Sequence, residues 1–394
     1  MMMKKPIELQ RVAVFLGAIV LVTGIDAVAA CTTGTNAPDL PAPGGGDGSA
    51  APQDAASLVD VSVDSVGPPP LDGGDGGGDG GCGDAKGNDP KNCGVCGHDC
   101  LGGTCQAGVC QPIVLATGQN NPPDIAVDAA NVYWVTYAGG TVMKCAIGGC
   151  NKIPTQLASG QTGAQGIAVG ATSVYWTAAT VKSCAIAGCG GAPTELTPAH
   201  EGNVGIAVDA THVYAASITA NTVIKCALGG CNNLPTEIAS GQSGAAGLAV
   251  DASNVYWTNS TAGTIMKCAL GGCDNLPTEI ASGQGGANAI TVDASNVYWT
   301  TYNGGTVMKC AIGGCGNSPT QLASGQVTPR DIVVDATNVY WTSASAVMKC
   351  AIGGCGNSPA SLASGQPGPS GIAQDATSLY WANSSNGTIM KVAK

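Results

Sequence analysis

The chain has 394 residues and a formal net charge of −11, with only 10% charged and 4% aromatic residues against 60 glycines. No run of Lys and Arg follows the first dozen residues, so the clustered cations that grip a phosphate backbone are missing and nucleic acid is disfavoured as a partner. Any core must be assembled from Val, Ile, Ala and a few aromatics placed at regular intervals.

Lys4, Lys5 and Arg11 precede an apolar run at residues 12–22, which is too short to span a bilayer and has the layout of a signal peptide, residues 1–30. The leader ends Val28-Ala29-Ala30-Cys31 and resembles a bacterial lipobox, which implies lipidation of Cys31 and an outer-membrane or cell-surface lipoprotein. Ala27-Val28-Ala29 also fits ordinary cleavage, which would give a freely secreted form, and Asp26 is unusual in either cleavage region. Cysteine parity bears on the choice. The 19 cysteines divide into Cys31, six between Cys82 and Cys110, and twelve in the repeats, so an exported protein can pair all but Cys31. Residues 31–81 are rich in Gly, Pro, Ala, Ser and Asp and read as an acidic, disordered tether with a reach of about 40 Å. Its Gly-Asp stretch lacks the alternating apolar position of calcium-binding nonapeptide repeats, and no cofactor is expected.

Residues 82–110 hold six cysteines with almost no large apolar residue, the composition of a module held by disulfides. Cys93 and Cys96 form a CxxC with His98 close by, so zinc and redox chemistry are the alternatives; a structural zinc site would need four reduced ligands, against the export signal. Fifteen pairings are possible and remain open. The segment NCGVCGHDC resembles the cysteine modules of stigma-specific-protein-like sequences.

From residue 112 onward one unit recurs seven times, marked by Tyr133-Trp134, Tyr175-Trp176, Tyr214-Ala215, Tyr256-Trp257, Tyr298-Trp299, Tyr340-Trp341 and Tyr380-Trp381. The tyrosines are spaced 42, 39, 42, 42, 42 and 40 residues apart, a period that signals a β-propeller. In the unit around Tyr256, turn residues divide four short strands at 247–250, 254–257, 264–268 and 277–281. Residues 113–116 supply a fourth-type strand ahead of the first unit, and the last unit stops after its third. The count balances only if the N-terminal strand completes the last blade, which predicts an all-β, seven-bladed propeller over residues 112–394 without free sheet edges. The units resemble the YWTD propellers of the low-density-lipoprotein-receptor family and, more distantly, bacterial propellers of the NHL and streptogramin-lyase type. No copy keeps the final Asp of YWTD, and the receptor propellers have six blades, so their ligand rules do not carry over.

The repeats contain CxxxxC pairs at Cys145/Cys150, Cys184/Cys189, Cys226/Cys231, Cys268/Cys273, Cys310/Cys315 and Cys350/Cys355, expected as local disulfides across the turn between third and fourth strands. Asp128, Asp209, Asp251, Asp293, Asp335 and Asp375 each end a first strand, and a ring of carboxylates could suggest metal or acid chemistry. An Ala and usually a Ser or Thr follow, which favours Asx-type turn capping. Lys144, Lys225, Lys267, Lys309, Lys349 and Lys391 share one third-strand position and read as solvent-facing. Ala215 in place of Trp predicts the poorest packing in the third blade.

Comparison among the copies locates the variable positions at one end of the ring. Asp124, Gln165, Asn288, Arg330 and Asp331 enter first strands there, His200-Glu201 replaces a Gln-Thr pair, and Tyr137 and Tyr302 lie in loops between second and third strands. Together they predict a polar rim at the channel mouth, although drift of loop sequence would also produce such variation. Three functions fit: a monomeric, lipid-anchored propeller binding a surface protein, peptide or glycan; an enzyme such as a lyase or hydrolase, with His200 and Glu201 as the one credible acid–base pair; or a structural envelope protein. Binding is the favoured reading, and the only membrane contact expected is through the lipid.

Overall fold

A computed structural model describes residues 87–198, 202–232 and 234–394. The expected leader, Cys31, the tether, Cys82, His200 and Glu201 lie outside the described residues. Among the described residues all regular structure is β, and there is no helix long and apolar enough to cross a membrane.

Seven four-stranded antiparallel sheets form the blades. Blade 1 comprises Ile125–Val127, Asn131–Thr136, Thr141–Ala146 and Thr155–Ala158. Blades 2 to 6 follow within residues 167–195, 203–239, 245–281, 287–323 and 332–363. Blade 7 takes Pro369–Gln374, Ser378–Asn383 and Thr388–Ala393 from one end of the repeats and Ile113–Ala116 from the other. Ile113 pairs with Lys391 and Val114 with Met390, which closes the ring as the strand count requires. The propeller architecture implied by the YWTD resemblance is present, with seven blades in place of the receptor family's six.

The core lies between the blades. Alternate side chains on a strand point to opposite faces, so adjacent Tyr and Trp of one second strand serve two different seams. Tyr133 packs with Trp176, Tyr256 with Trp299, Tyr298 with Trp341 and Tyr380 with Trp134, in separate apolar clusters. Each Trp also donates from Nε1 to a glutamine fifteen residues earlier, which follows the outer strand of the preceding blade: Trp257 to Gln242 (3.0 Å), Trp299 to Gln284 (3.1 Å), Trp381 to Gln366 (3.1 Å). The seam between blades 2 and 3 departs from this pattern. There Tyr175 meets the buried Ala215, and Ile224 and Leu196 help fill the layer.

The lysine row differs from its expected role. Lys144 Nζ donates to Ile186 O (2.7 Å), Lys225 to Leu270 O (2.6 Å), Lys267 to Ile312 O (2.7 Å), Lys309 to Ile352 O (2.6 Å) and Lys391 to Ile147 O (3.0 Å). Each acceptor belongs to the next blade. A long apolar stem laid along the seam brings the ammonium to a carbonyl left free at a turn, so the row ties blades together instead of facing water. Lys349 lies over the Tyr340 ring, 5.7 Å from its centroid.

All six CxxxxC pairs are disulfides, as their spacing predicts: Cys145–Cys150, Cys184–Cys189, Cys226–Cys231, Cys268–Cys273, Cys310–Cys315 and Cys350–Cys355, with Cα–Cα separations of 5.4–5.6 Å. These local staples also touch the neighbouring blade. The first cysteine is buried in the seam with the preceding blade, and the second is half-buried and places its sulfur against a carbonyl at that blade's outer strand. Cys150 meets Leu115 O (3.7 Å), Cys189 meets Leu157 O (3.6 Å) and Cys231 meets Leu196 O (3.0 Å). Cys273 meets Ile238 O (3.8 Å), Cys315 meets Ile280 O (3.9 Å) and Cys355 meets Leu322 O (3.5 Å). A disulfide sulfur has no proton to donate, so these are packing contacts, and they make each staple part of a seam as well as of a turn.

In the cysteine module Cys93 bonds Cys105 and Cys100 bonds Cys110, and Cys96 is also disulfide-bonded. Cys93, Cys100 and Cys110 place their sulfurs within metal-binding distance of one another, but a disulfide sulfur is no thiolate, so zinc gives way to covalent staples. The module packs its buried cysteines and Leu101 onto the seam between blades 6 and 7, where Tyr340 and Trp381 lie. His98 bonds Cys93 O through Nδ1 (2.7 Å) and Lys394 O through Nε2 (2.9 Å).

Candidate binding face at the channel mouth

The two ends of the ring have different chemistry. At the end carrying the turns between first and second strands, the repeated aspartates are committed to structure. Asp251 Oδ1 accepts from the N–H groups of Ser253 and Asn254 (2.7 Å each), and its Oδ2 accepts from Tyr256 Oη (2.7 Å). Asp128, Asp209, Asp293, Asp335 and Asp375 repeat this with Tyr133, Tyr214, Tyr298, Tyr340 and Tyr380. Burial works against each charge, but the tyrosine hydroxyl and the turn N–H groups outweigh it and hold these carboxyls below their ordinary range, Asp209 at about 2. Turn capping therefore accounts for the set, with a tyrosine hydroxyl added to each. The tyrosines are pushed up, by burial first and by the aspartate bond second.

At the opposite end the chain enters each first strand at a ring of seven residues: Asp124, Gly166, Gly205, Gly247, Ala289, Asp331 and Gly371. The ring is tight. A Cβ at Gly205 would collide with Ala246 O and one at Gly247 with Asn288 O, so side chains are excluded where neighbouring inner strands approach this closely. Threonines lace the same level: Thr258 Oγ1 donates to Asn288 O (2.6 Å), Thr300 Oγ1 to Arg330 O (2.9 Å) and Thr342 Oγ1 to Ser370 O (2.6 Å).

Within this ring two carboxyls remain. Asp124 Oδ1 accepts from its own strand at Ile125 N (2.8 Å), and Oδ2 accepts from Ile167 N of blade 2 (2.9 Å). Asp331 does the same with Ile332 N (2.9 Å) and Ile372 N of blade 7 (2.8 Å). Burial, and then the charge of Asp331, push Asp124 up to about 8 despite its two N–H bonds; burial pushes Asp331 up to about 6. A Cβ at Gly371 would lie 2.6 Å from Asp124 Cα, so blade 7 can pass between the two carboxyls only as glycine.

Beside Asp331 stands Arg330, one of two arginines in the sequence. Its guanidinium carbon lies 5.8 Å from the centroid of the Tyr302 ring, and its Nε is buried without a hydrogen-bond partner. Its backbone is fixed at three points: N–H to Thr342 O (2.9 Å), and O accepting from Asn288 Nδ2 (2.9 Å) and Thr300 Oγ1 (2.9 Å). Of the residues singled out in the sequence, the structure thus brings together Asn288, Tyr302, Arg330 and Asp331 on blades 5 and 6, with Asp124 electrostatically coupled to Asp331. Gln165 adjoins the ring on blade 2 and bonds Thr177 O through its backbone N–H (3.0 Å). Tyr137 is 42% exposed in its loop on blade 1, and no hydrogen bond or ring contact links it to the Arg330 group. Two apolar residues at this end were not anticipated, Val327 (64% exposed) and Ile218 (41%). Their departure from the equivalent residues of other copies was the available signal.

No protein-family profile matches the sequence, and no curated protein matches it. Among solved structures the ring is similar to virginiamycin B lyase from Staphylococcus aureus, at 15% identity and a TM-score of 0.61, covering 72% of this chain and 98% of the lyase. A streptogramin B lyase gives 12% identity and 0.60 over 72% of this chain and 96% of its own. PorZ, a bacterial surface component of the type-IX secretion system of Porphyromonas gingivalis, gives 11% and 0.52 over 70% of this chain and 37% of its own. What they share is the propeller fold. A catalytically inactive histidine-to-alanine variant of the Staphylococcus lyase has also been solved with quinupristin, at 14% identity to this chain. Here His98 is bonded within the cysteine module and to Lys394 O, and His212 stands at the opposite end beside Thr211 (2.7 Å).

Proposed function

We propose that the chain is an exported, lipid-anchored propeller that captures a protein, peptide or glycan at the channel mouth of blades 5 and 6. The observation that carries this reading is the Arg330–Tyr302 pair. An arginine on an aromatic face, with a buried and unpaired donor and exposed Val327 three residues away, is the composition of a binding hot spot. Drift of loop sequence scatters polar residues over a surface but gives no reason for a donor to be desolvated and left without an acceptor. The disulfides are compatible with an oxidising compartment, and the Cys31 motif supplies the anchor.

Glycan and peptide arrays probed with the full chain test the reading. Binding should be lost with Tyr302→Ala and with Val327→Asp, and kept with Ile153→Asp on the opposite end of the ring. A ligand insensitive to both rim changes, or no ligand at all, would discard it. The acid–base pair that a lyase would need here is His200 with Glu201, so turnover of quinupristin that disappears in His200→Ala would replace the binding reading by an enzymatic one.

A further inference from the structure

We propose that Arg330, held against Tyr302, is the receptor for a single carboxylate group on the ligand; this rests on the binding face proposed above and names the chemistry it selects. The guanidinium has no acceptor. Nε is buried and unbonded, and among the described residues the only ion pairs are Lys91–Asp99 and Lys394–Asp335. A desolvated donor without a partner is costly, and the group that best satisfies a planar fork is a carboxylate or phosphate bound through two parallel N–H bonds.

The scaffold keeps the fork ready. Arg330 N–H and O are fixed by Thr342, Asn288 and Thr300, and the cation rests on the Tyr302 ring, so little ordering is left to be done on binding. Asp331 and Asp124 then decide between the two anions. Two carboxyls on the axial side repel a dianionic phosphate or sulfate, whereas one monoanion adds a single charge. The uncharged remainder of the ligand meets Val327 and the edge of Tyr302.

Two common sources carry such a group on an otherwise neutral body, a uronic sugar and the C-terminus of a peptide. Saturation-transfer NMR on the full chain would therefore use glucuronate against glucose, and acetyl-alanyl-valine against its C-terminal amide. The expected result is that one carboxylate probe binds and its neutral counterpart binds at least about tenfold more weakly. Arg330→Met should abolish the signal, and Arg330→Lys, which keeps the charge and loses the fork, should weaken it about tenfold. Thermal melts establish that each variant is folded. Inorganic phosphate binding as well as the carboxylate would overturn the choice of anion. Equal binding of neutral and charged probes, native-like binding by Arg330→Met, or no signal from either carboxylate would overturn the proposal. If an array ligand requires Tyr302 and Val327 but tolerates Arg330→Met, the carboxylate inference falls and the binding face stands; insensitivity to all three removes both.

Discussion

Replacing Asp124 by asparagine isolates the cost of placing a charge at the axis of the ring. The carboxyl is pushed up to about 8, by burial first and by Asp331 second, whereas an aspartate in the unfolded chain ionises near about 3.9. Folding thus raises the pKa, so the proton is bound more tightly in the native state. The associated stability is fully present below about pH 4 and is lost as pH rises through about 8. At about 1.4 kcal/mol per pKa unit the full effect is on the order of 5 kcal/mol, and water reaching the channel screens it to roughly half, about 2–3 kcal/mol. Asparagine keeps the shape and one acceptor for Ile125 or Ile167 N–H, and it cannot ionise. Asp124→Asn should therefore melt close to the native chain at pH 4.5 and several degrees above it at pH 8.5, at about 2–4 °C per kcal/mol for a domain of this size. Asp331→Asn should show a smaller gain that builds between about pH 4 and 6 and persists above it. Melts at pH 4.5, 6.5 and 8.5 decide the matter. A variant destabilised equally at all three pH values would show that the inter-blade bond to Ile167 outweighs the charge, and would refute the reasoning.

The turn aspartates should respond with the opposite sign. Asp251 is held below its ordinary value, so its contribution is present above about pH 4 and is lost as pH falls; Asp251→Ala should cost about 2–4 kcal/mol in denaturant unfolding at pH 7 and less at pH 3. Deleting residues 112–117 should lower stability by several kcal/mol and promote association, because it strips Ile389 and Met390 of their partner strand and opens an edge; unchanged melts and a monomer on gel filtration would contradict ring closure through this strand. Cells expressing the full chain with labelled palmitate should show label that is absent in Cys31→Ala, and equal labelling of both would remove the anchor.

Blade number, strand order and closure were legible because the Tyr-Trp period and the placement of one surplus strand leave a single consistent count. The disulfides were legible for a similar reason, since a five-residue separation across a tight turn leaves little else for two cysteines to do. What could not be read were contacts between blades. That Lys267 ends on Ile312 O, or that Cys273 rests on Ile238 O, depends on how far one blade is rotated against the next, which no local pattern encodes. The Trp–Gln clasp was within closer reach, because the fifteen-residue spacing holds in every unit that has the tryptophan. At the rim, sequence comparison found Arg330 and Tyr302 separately but gave no sign that one rests on the other, since they belong to different blades.

These inter-blade ties also explain why variation is concentrated where it is. A repeat has few positions to spare: Tyr and Trp fill two seams, Gln and Lys clasp them, Asp holds the turn and Thr laces the inner strands. Departures at such positions come grouped, as between blades 2 and 3. There Ala215 replaces Trp, the residue fifteen before it is His200 instead of Gln, and Ser183 stands opposite Tyr175 where the other blades have the clasping lysine. A clasp with one half removed leaves the other half buried and unpaired, so losing both together costs less than losing either alone. Arg330 is the reverse case. Its partner Tyr302 is present, its backbone is fixed at three points, and only its donors remain unsatisfied. The other buried side-chain atoms without a partner among the described residues are neutral oxygens, on Thr180, Asn259, Gln374 and Asn383, whereas Arg330 Nε belongs to a cation, whose desolvation costs most and which an acceptor from outside the chain would satisfy.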